Sequence, residues 1–242
     1  MRWRDLLFAH WRVDVVQLRP FIPAELEIDT FDGEAYVGVV PFLMEDVSPR
    51  GLPAVGRLGR FPEVNVRTYV RHGDLGGVWF FSLDAAERIP VELARRGFHL
   101  PYFHARMTVE RAGESVVYRS ERIDRRGRPA SLSVTYRPTG PVTPAAAGSL
   151  DAWLTERYRL FAVDGRGLLS TTSIAHRPWP LRPAAAEFEV ETLSAAQGLT
   201  FQGPPVQLAF ADRLDVRGWW PRAVGRAPTD PAPMDRAPEP DA

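Results

Sequence analysis

The 242-residue sequence contains neither cysteine nor lysine. Without cysteine there is no disulfide framework, no thiol nucleophile and no cysteine-ligated metal. Without lysine all 30 basic residues are arginine, and no side chain can form a Schiff base with a carbonyl substrate. Only the N-terminal amine could do so, and it sits at a chain end. The formal net charge is zero. There is thus no basic excess to draw nucleic acid and no acidic excess to make a solvating tail. No run approaches the roughly 18–20 apolar residues of a membrane span. The opening MRWRDLLFAHW carries an Arg-flanked apolar patch, too short and interrupted for a signal peptide, and no A-x-A site follows. The sequence shows no G-x-S-x-G, H-E-x-x-H, P-loop or G-x-G-x-x-G. The expectation is a cytoplasmic protein without nucleic-acid or membrane partners. A homo-oligomer is allowed but not specified.

Hydrophobic residues make up 45% and charged residues 25% of the chain, ordinary values for a globular protein. A chain of this length buries roughly 70–75% of its unfolded surface, enough for a core without staples. Most segments read as strands. AYVGVVPFLM (35–44) is continuously apolar, which predicts burial on both faces. NVRTYV, the Gly-rich HGDLGG and VWFFSLD predict a hairpin. YFHARMTVE (102–110), RAGE and SVVYRSERI (115–123) predict a second. ASLSVTYRP (130–138), EFEVETL (187–193) and PVQLAFADRLDVRGWW (205–220) read as further strands. Helices are expected at 13–22, at 84–97 with Gly97 as C-cap, and at 149–161 behind a Ser149 N-cap. Residues 1–220 are expected to form one domain. The Pro/Ala/charge-rich 221–242 is expected to be a disordered tail.

Several strands alternate between an apolar and a polar face. In FPEVNVRTYVR (61–71), Val64, Val66 and Val70 share one face, while Glu63, Asn65, Arg67 and Tyr69 share the other. Tyr102, His104 and Arg106 form a similar row, as do Ser82 and Asp84. One reading is a sheet with its polar face in water. The other is a closed, cone-shaped barrel whose polar faces meet inside. Tyr, His, Asn and Arg fix geometry and recognise small polar ligands, which favours the second.

LLFAHWRV (6–13), FIPAELEIDTFDGEAYVGVVPF (21–42), FPEVNVRTYV (61–70), FFSLDAA (80–86), LPYFHARM (100–107) and HRPWPLRPA (176–184) together resemble the YqjF-like family of uncharacterised bacterial proteins, over roughly residues 3–220. That family is grouped with the acetoacetate-decarboxylase-like fold. The resemblance therefore implies a β-rich α+β architecture: an antiparallel, cone-shaped β-barrel around a small polar cavity, with a few peripheral helices. In the decarboxylase a cavity lysine in a Gly-x-Pro-Lys-type turn forms a Schiff base with a β-keto acid. Here HLPYFHARM places Tyr102 or Phe103 at that point, so the imine mechanism does not carry over. By the same resemblance Glu63 matches a pocket carboxylate.

Glu63 and His104 are the candidate proton-transfer residues. Asn65, Arg67, Ser82, Tyr102 and Arg106 are the candidate ligand-binding residues, with Arg67 offering the fork that grips a carboxylate. The structural alternatives are a salt-bridged sheet surface for 63–67 and a packed, backbone-bonded histidine for His104. A metal site built from His10, His104 and Glu63 has no supporting spacing, and no cofactor is expected. The functional expectation is a cofactor-independent lyase, hydratase or isomerase acting on a small oxo- or carboxylated molecule. The alternatives are a non-catalytic small-molecule binder or sensor, and an interaction module with a filled interior.

Overall fold

The structure, a computed structural model, describes residues 1–47 and 59–224. It is strand-dominated. The strands are β1 (Arg2–Val13), β2 (Glu27–Ile28), β3 (Ala35–Glu45), β4 (Phe61–His72), β5 (Leu75–Ala85), β6 (Tyr102–Ala112) and β7 (Ser115–Arg122). They continue with β8 (Ser131–Pro138), β9 (Arg159–Val163), β10 (Leu169–Ala175), β11 (Arg182–Glu191), β12 (Gln207–Asp215), β13 (Arg217–Gly218) and β14 (Arg222–Ala223). Four short helices intervene: α1 (Val15–Leu18), α2 (Arg88–Phe98), α3 (Leu150–Thr155) and α4 (Leu193–Ala196). Among the described residues no helix is long and apolar enough to cross a membrane.

Both expected hairpins are present. β4–β5 and β6–β7 each turn through two residues, with His72 opposite Leu75 and Ala112 opposite Ser115. The first turn residue is Gly73 (φ +57°) in one and Gly113 (φ +64°) in the other, a backbone region that glycine enters without steric cost. The pairing runs from β5 through β6, β7, β8, β11, β12, β1, β3 and β4, and β4 pairs with β5 again. The ladder therefore returns to its starting strand. It is not wholly antiparallel, because β5 runs parallel to both β6 and β9. Outside this circuit, β10 lies beside β9 and carries β13 and β14, and β2 pairs with β4.

Alternation along the strands divides the apolar side chains into two layers. The first receives Leu7, Val37, Val66, Phe81, Tyr118, Leu132 and Phe210, with Met107 and Phe188 packed against them. All nine strands of the circuit contribute to it. The second receives the neighbours that point the other way, Phe8, Val40, Phe42, Phe61 and Ala209, covered by Val91 of α2 and by Trp179 and Leu181. β3 serves both layers, and all eleven of its residues are buried, as its unbroken apolar run predicts.

The helices depart from expectation. Val13 belongs to β1, and Asp14 caps a single turn that tightens into a 3-10 turn at Arg19–Phe21. The helix expected over 149–161 stops at Thr155, although Ser149 does cap it. Its second half instead extends as β9, where Leu160 and Phe161 sit opposite Val78 and Trp79, so tertiary pairing overrides helical spacing. α2 runs through Gly97 and ends on His99, which takes the left-handed conformation at φ +55°. Arg222–Ala223, assigned to the tail by composition, pairs with β10. The remainder of that expected tail lies outside the described residues.

Within the first layer Arg122 at the end of β7 faces Asp84 of β5. Its Nη2 lies 2.6 Å from Oδ1, and both side chains are 1% exposed. The Phe103 ring covers the guanidinium at 4.2 Å. Burial pulls the Asp84 pKa up and Arg122 pulls it down. Removing one partner strands the other charge. Arg122→Met is expected to cost about 3–5 kcal/mol in urea unfolding, and Asp84→Leu in the same chain to restore much of that loss.

Candidate functional site

The polar row of β4 is buried. Glu63 is 2% and Asn65 4% exposed, and Tyr69 is fully enclosed. Only Arg67 of the row is partly exposed, so the salt-bridged-surface alternative fails. Nor does it point to the layer where the nine strands converge, because Val64, Val66 and Val70 occupy that side. It lies on the opposite face, against Phe8, Phe42 and Trp179 and beneath Leu154 of α3.

Glu63 accepts a hydrogen bond from the Tyr102 hydroxyl at 2.8 Å and another from the Asn65 side chain. Burial pushes its pKa up to about 7 despite both bonds, with the Asp84 charge adding to the rise. Burial and the neighbouring Glu63 hold the Tyr102 phenol well above its ordinary range, so it stays a donor. A carboxyl that titrates near neutrality can take or give a proton at working pH.

Arg67 is the cation of the face. Its Nη2 donates long hydrogen bonds, both 3.4 Å, to the Leu154 carbonyl and the Tyr69 hydroxyl. Its guanidinium lies 5.3 Å from the Phe8 ring centre and 5.8 Å from that of Tyr69, contacts that favour a cation. Among the described residues no carboxylate comes within ion-pair distance of it, and its buried Nε has no partner.

Beside Arg67 a hydrogen-bonded chain joins four elements. Gln207 of β12 donates to Asp151 Oδ1 of α3 at 2.9 Å. His10 Nδ1 of β1 lies 2.6 Å from Gln207 Oε1, and its Nε2 lies 2.6 Å from the Tyr69 hydroxyl. Burial, reinforced by the Arg67 charge, lowers the His10 pKa to about 3. The ring is therefore neutral, donates through Nδ1 and accepts at Nε2. The Tyr69 hydroxyl also sits 2.8 Å from the Leu154 carbonyl, and its one proton serves one of the two at a time. Room for the imidazole comes from Gly38, where a Cβ would stand 2.7 Å from His10 Nε2.

The structure thus brings Glu63, Asn65, Arg67 and Tyr102 to one buried face. Ser82 and Arg106 lie apart from them, and His104 is engaged elsewhere. His104 Nε2 lies 3.1 Å from the Ala86 carbonyl and its backbone N–H donates to Asp124, which is the packed-histidine arrangement. Ser82 pairs opposite Val66 and points to the Asp84 side. Arg106 is corrected outright: its side chain is 71% exposed and bonded to Glu121 at 2.9 Å. β6 pairs with β5 only as far as His104, and beyond that point the outer side of β6 is open to solvent. Tyr69, His10, His176, Trp179 and Gln207 were not among the candidates. AHW and HRPWP hold three of them, His10, His176 and Trp179, but spacing could not show that they meet β4. Among the described residues no group of three or more His, Asp or Glu side chains is placed to hold a metal. A cavity of about 380 Å³ lies elsewhere, at the fork where the edge of β5 passes from β9 to β6. It is lined by Phe21, Trp79, Phe81, Phe161 and Gln197 among others, and none of Glu63, Asn65, Arg67 or Tyr102 borders it.

Residues 1–215 match the DUF2071 family, described as an uncharacterized conserved protein. The chain belongs to this family. It is 42% identical over 217 residues to the uncharacterized protein YqjF of Bacillus subtilis, an alignment covering 90% of this chain and 88% of that one. Solved structures with a similar fold include the acetoacetate decarboxylase of Legionella pneumophila (TM-score 0.64, 14% identity, 93% of this chain and 87% of that one). The enduracididine biosynthesis enzyme MppR is similar as well (TM-score 0.64, 13% identity, 92% and 86%). So is an acetoacetate-decarboxylase-like enzyme from Sphingomonas wittichii (TM-score 0.58, 17% identity, 91% and 89%). The fold is acetoacetate-decarboxylase-like. At these identities the likeness concerns the fold alone.

The raised Glu63 pKa makes stability depend on pH with a definite sign. Between the ordinary 4.5 and about 7 the folded state holds a proton that the unfolded state has released. Stability from this group is complete below pH 4.5, falls as pH rises toward 7 and is level above. The shift corresponds to about 3 kcal/mol. Urea unfolding between pH 4.5 and 8 is expected to show the wild type losing about that much more stability than Glu63→Gln.

Proposed function

We propose that this protein is a cofactor-independent enzyme acting on a small oxo- or carboxylated molecule at the Glu63–Arg67 face, by proton transfer and not through an imine. The observation that carries the reading is Glu63 itself: a buried carboxyl brought near neutrality, bonded to Tyr102. By resemblance, the Tyr102–Phe103 step is where the decarboxylase keeps its lysine. The absence of lysine removes the imine route, and the carboxyl–phenol pair supplies acid–base groups in its place. Arg67, without a carboxylate partner among the described residues, anchors an anion. The pairing circuit supports reading the sheet as the cone-shaped barrel of this fold, within one domain. The descriptions of the structural neighbours point to the substrate class, since they include acetoacetate decarboxylases and MppR complexed with pyruvate. The reaction classes that fit are a lyase, a hydratase or an isomerase. A second reading, a non-catalytic binder, draws support from His104: with its ring turned to the Ala86 carbonyl, Glu63 stands without the second proton-transfer group first expected.

Thermal unfolding against small oxo and hydroxy acids tests the anchor. A stabilising shift is expected in the wild type and not in Arg67→Ala, because ligand binding stabilises the native state by mass action. Turnover that vanishes in Glu63→Gln while the shift persists separates the enzyme from the binder. Borohydride reduction with an oxo acid is expected to leave internal peptides unlabelled, and a labelled internal side chain would overturn the mechanism.

A further inference from the structure

The buried polar atoms around Arg67 that lack partners among the described residues include Asn65 Oδ1, Arg67 Nε, His176 Nε2 and Trp179 Nε1. Their side chains are contiguous. The Arg67 guanidinium lies over Phe8 at 5.3 Å, the Trp179 ring meets Phe8 edge-on at 4.9 Å, and His176 sits 5.3 Å from Trp179. Asn65 precedes Arg67 on the same face of β4. Asn65, His176 and Trp179 are 4%, 7% and 3% exposed, so solvent at the protein surface does not satisfy them.

The four divide by chemistry. Arg67 Nε and Trp179 Nε1 carry hydrogens and only donate. The other two accept. His176 Nδ1 lies 2.7 Å from the Arg177 carbonyl, which fixes the ring proton there and leaves a lone pair at Nε2. Burial lowers the pKa of this ring, against the opposing pull of the Arg177 and Arg157 backbone and of the Glu156 charge, with the Arg67 charge a smaller contribution in the same direction as burial. Asn65 turns its bonded side toward Glu63, and its Oδ1 is an acceptor by nature. Buried polar atoms left unpaired cost about 1–3 kcal/mol each. Donors and acceptors left open together describe a ligand that brings both.

Resting on the reading of this face as a ligand site, we propose that it selects a small hydroxy acid over the corresponding oxo acid. The carboxylate meets the Arg67 and Trp179 N–H groups. The hydroxyl donates its proton to His176 Nε2 or Asn65 Oδ1. An oxo acid brings acceptors only and leaves both of those atoms unpaired. An amino acid would bring donors, but its ammonium would place a second cation beside an arginine that has no carboxylate of its own.

Titration calorimetry on the full chain with matched pairs, lactate against pyruvate and 2-hydroxyglutarate against 2-oxoglutarate, tests the selection. The hydroxy acid is expected to bind about 10-fold tighter or better, since one well-placed hydrogen bond is worth about a factor of 10. His176→Phe keeps the ring stack and removes the acceptor, and is expected to erase the preference while carboxylate binding remains. Asn65→Leu serves as the second variant if the first fails to fold. Equal or tighter binding of the oxo acids would overturn this inference and leave the site reading standing. Binding of neither class to folded wild type would overturn both.

Discussion

The constraint on which the rest depends is that β4 is buried on both faces while half of its residues are polar. Its valines enter the layer shared by nine strands, and its Glu-Asn-Arg-Tyr row enters the layer beneath Phe8, Trp179 and α3. Water is largely excluded from both, and only Arg67 of the row is partly exposed. Each ionisable group must lose its charge, find an opposite charge or lie against groups that tolerate it. Glu63 and His10 take the first course, one kept largely protonated toward neutrality and the other kept unprotonated. Asp84 and Arg122, on the other side of the sheet, take the second. Arg67 can do neither, because a guanidinium does not deprotonate in proteins. It rests on aromatic faces and two long hydrogen bonds, a cation held in place but not neutralised.

Much of this architecture was legible in the chain. The unbroken apolar run of β3 announced burial on both faces, and Gly73 and Gly113 announced the two turns. The alternation at 61–71 identified the row on which the candidate site is built. What periodicity could not supply was which layer each face would join. Alternation says that two faces differ, and the polar one here is buried by segments more than 80 residues away in sequence, at Leu154 and Trp179. The same limit explains Arg106. It shares a row with Tyr102, but its strand has left its β5 neighbour by that point. It explains the lost half of the expected third helix too, where the unpaired edge of β5 recruits Leu160 and Phe161 into a strand.

Membership in a family over nearly the whole chain, together with an acetoacetate-decarboxylase-like fold, carries no mechanism with it. The fold places a short strand segment, Tyr102–His104, beside Leu83–Ala85. Whatever side chain stands there meets the carboxyl on β4. A lysine in such a place can make an imine. A tyrosine cannot, but it donates a hydrogen bond to the carboxyl, and its own proton is secured by the same burial that raises the carboxyl's pKa. Near neutrality the carboxyl exchanges its proton readily while the phenol keeps its own. On the proposed reading, that arrangement would suit proton transfer to a neutral or enolic centre, and the electrostatic burden of binding would fall on Arg67.

The position of Arg67 is in turn set by contacts from distant parts of the chain. Leu154 of α3 accepts from it, Phe8 of β1 lies under it, and the Tyr69 hydroxyl beside it bonds to His10, which leans on Gln207 of β12 and through it on Asp151. The first strand, the fourth, the twelfth and a helix between them must all be in register before the guanidinium is in place. Gly38 belongs to the same device, since any side chain there would collide with the imidazole. A polar row with this many obligations from separate elements is poorly explained as filler, because apolar residues of equal volume would need none of them. Its donors and acceptors left unpaired among the described residues, clustered where the charge is, are what a binding face would leave open when everything around it has been fixed.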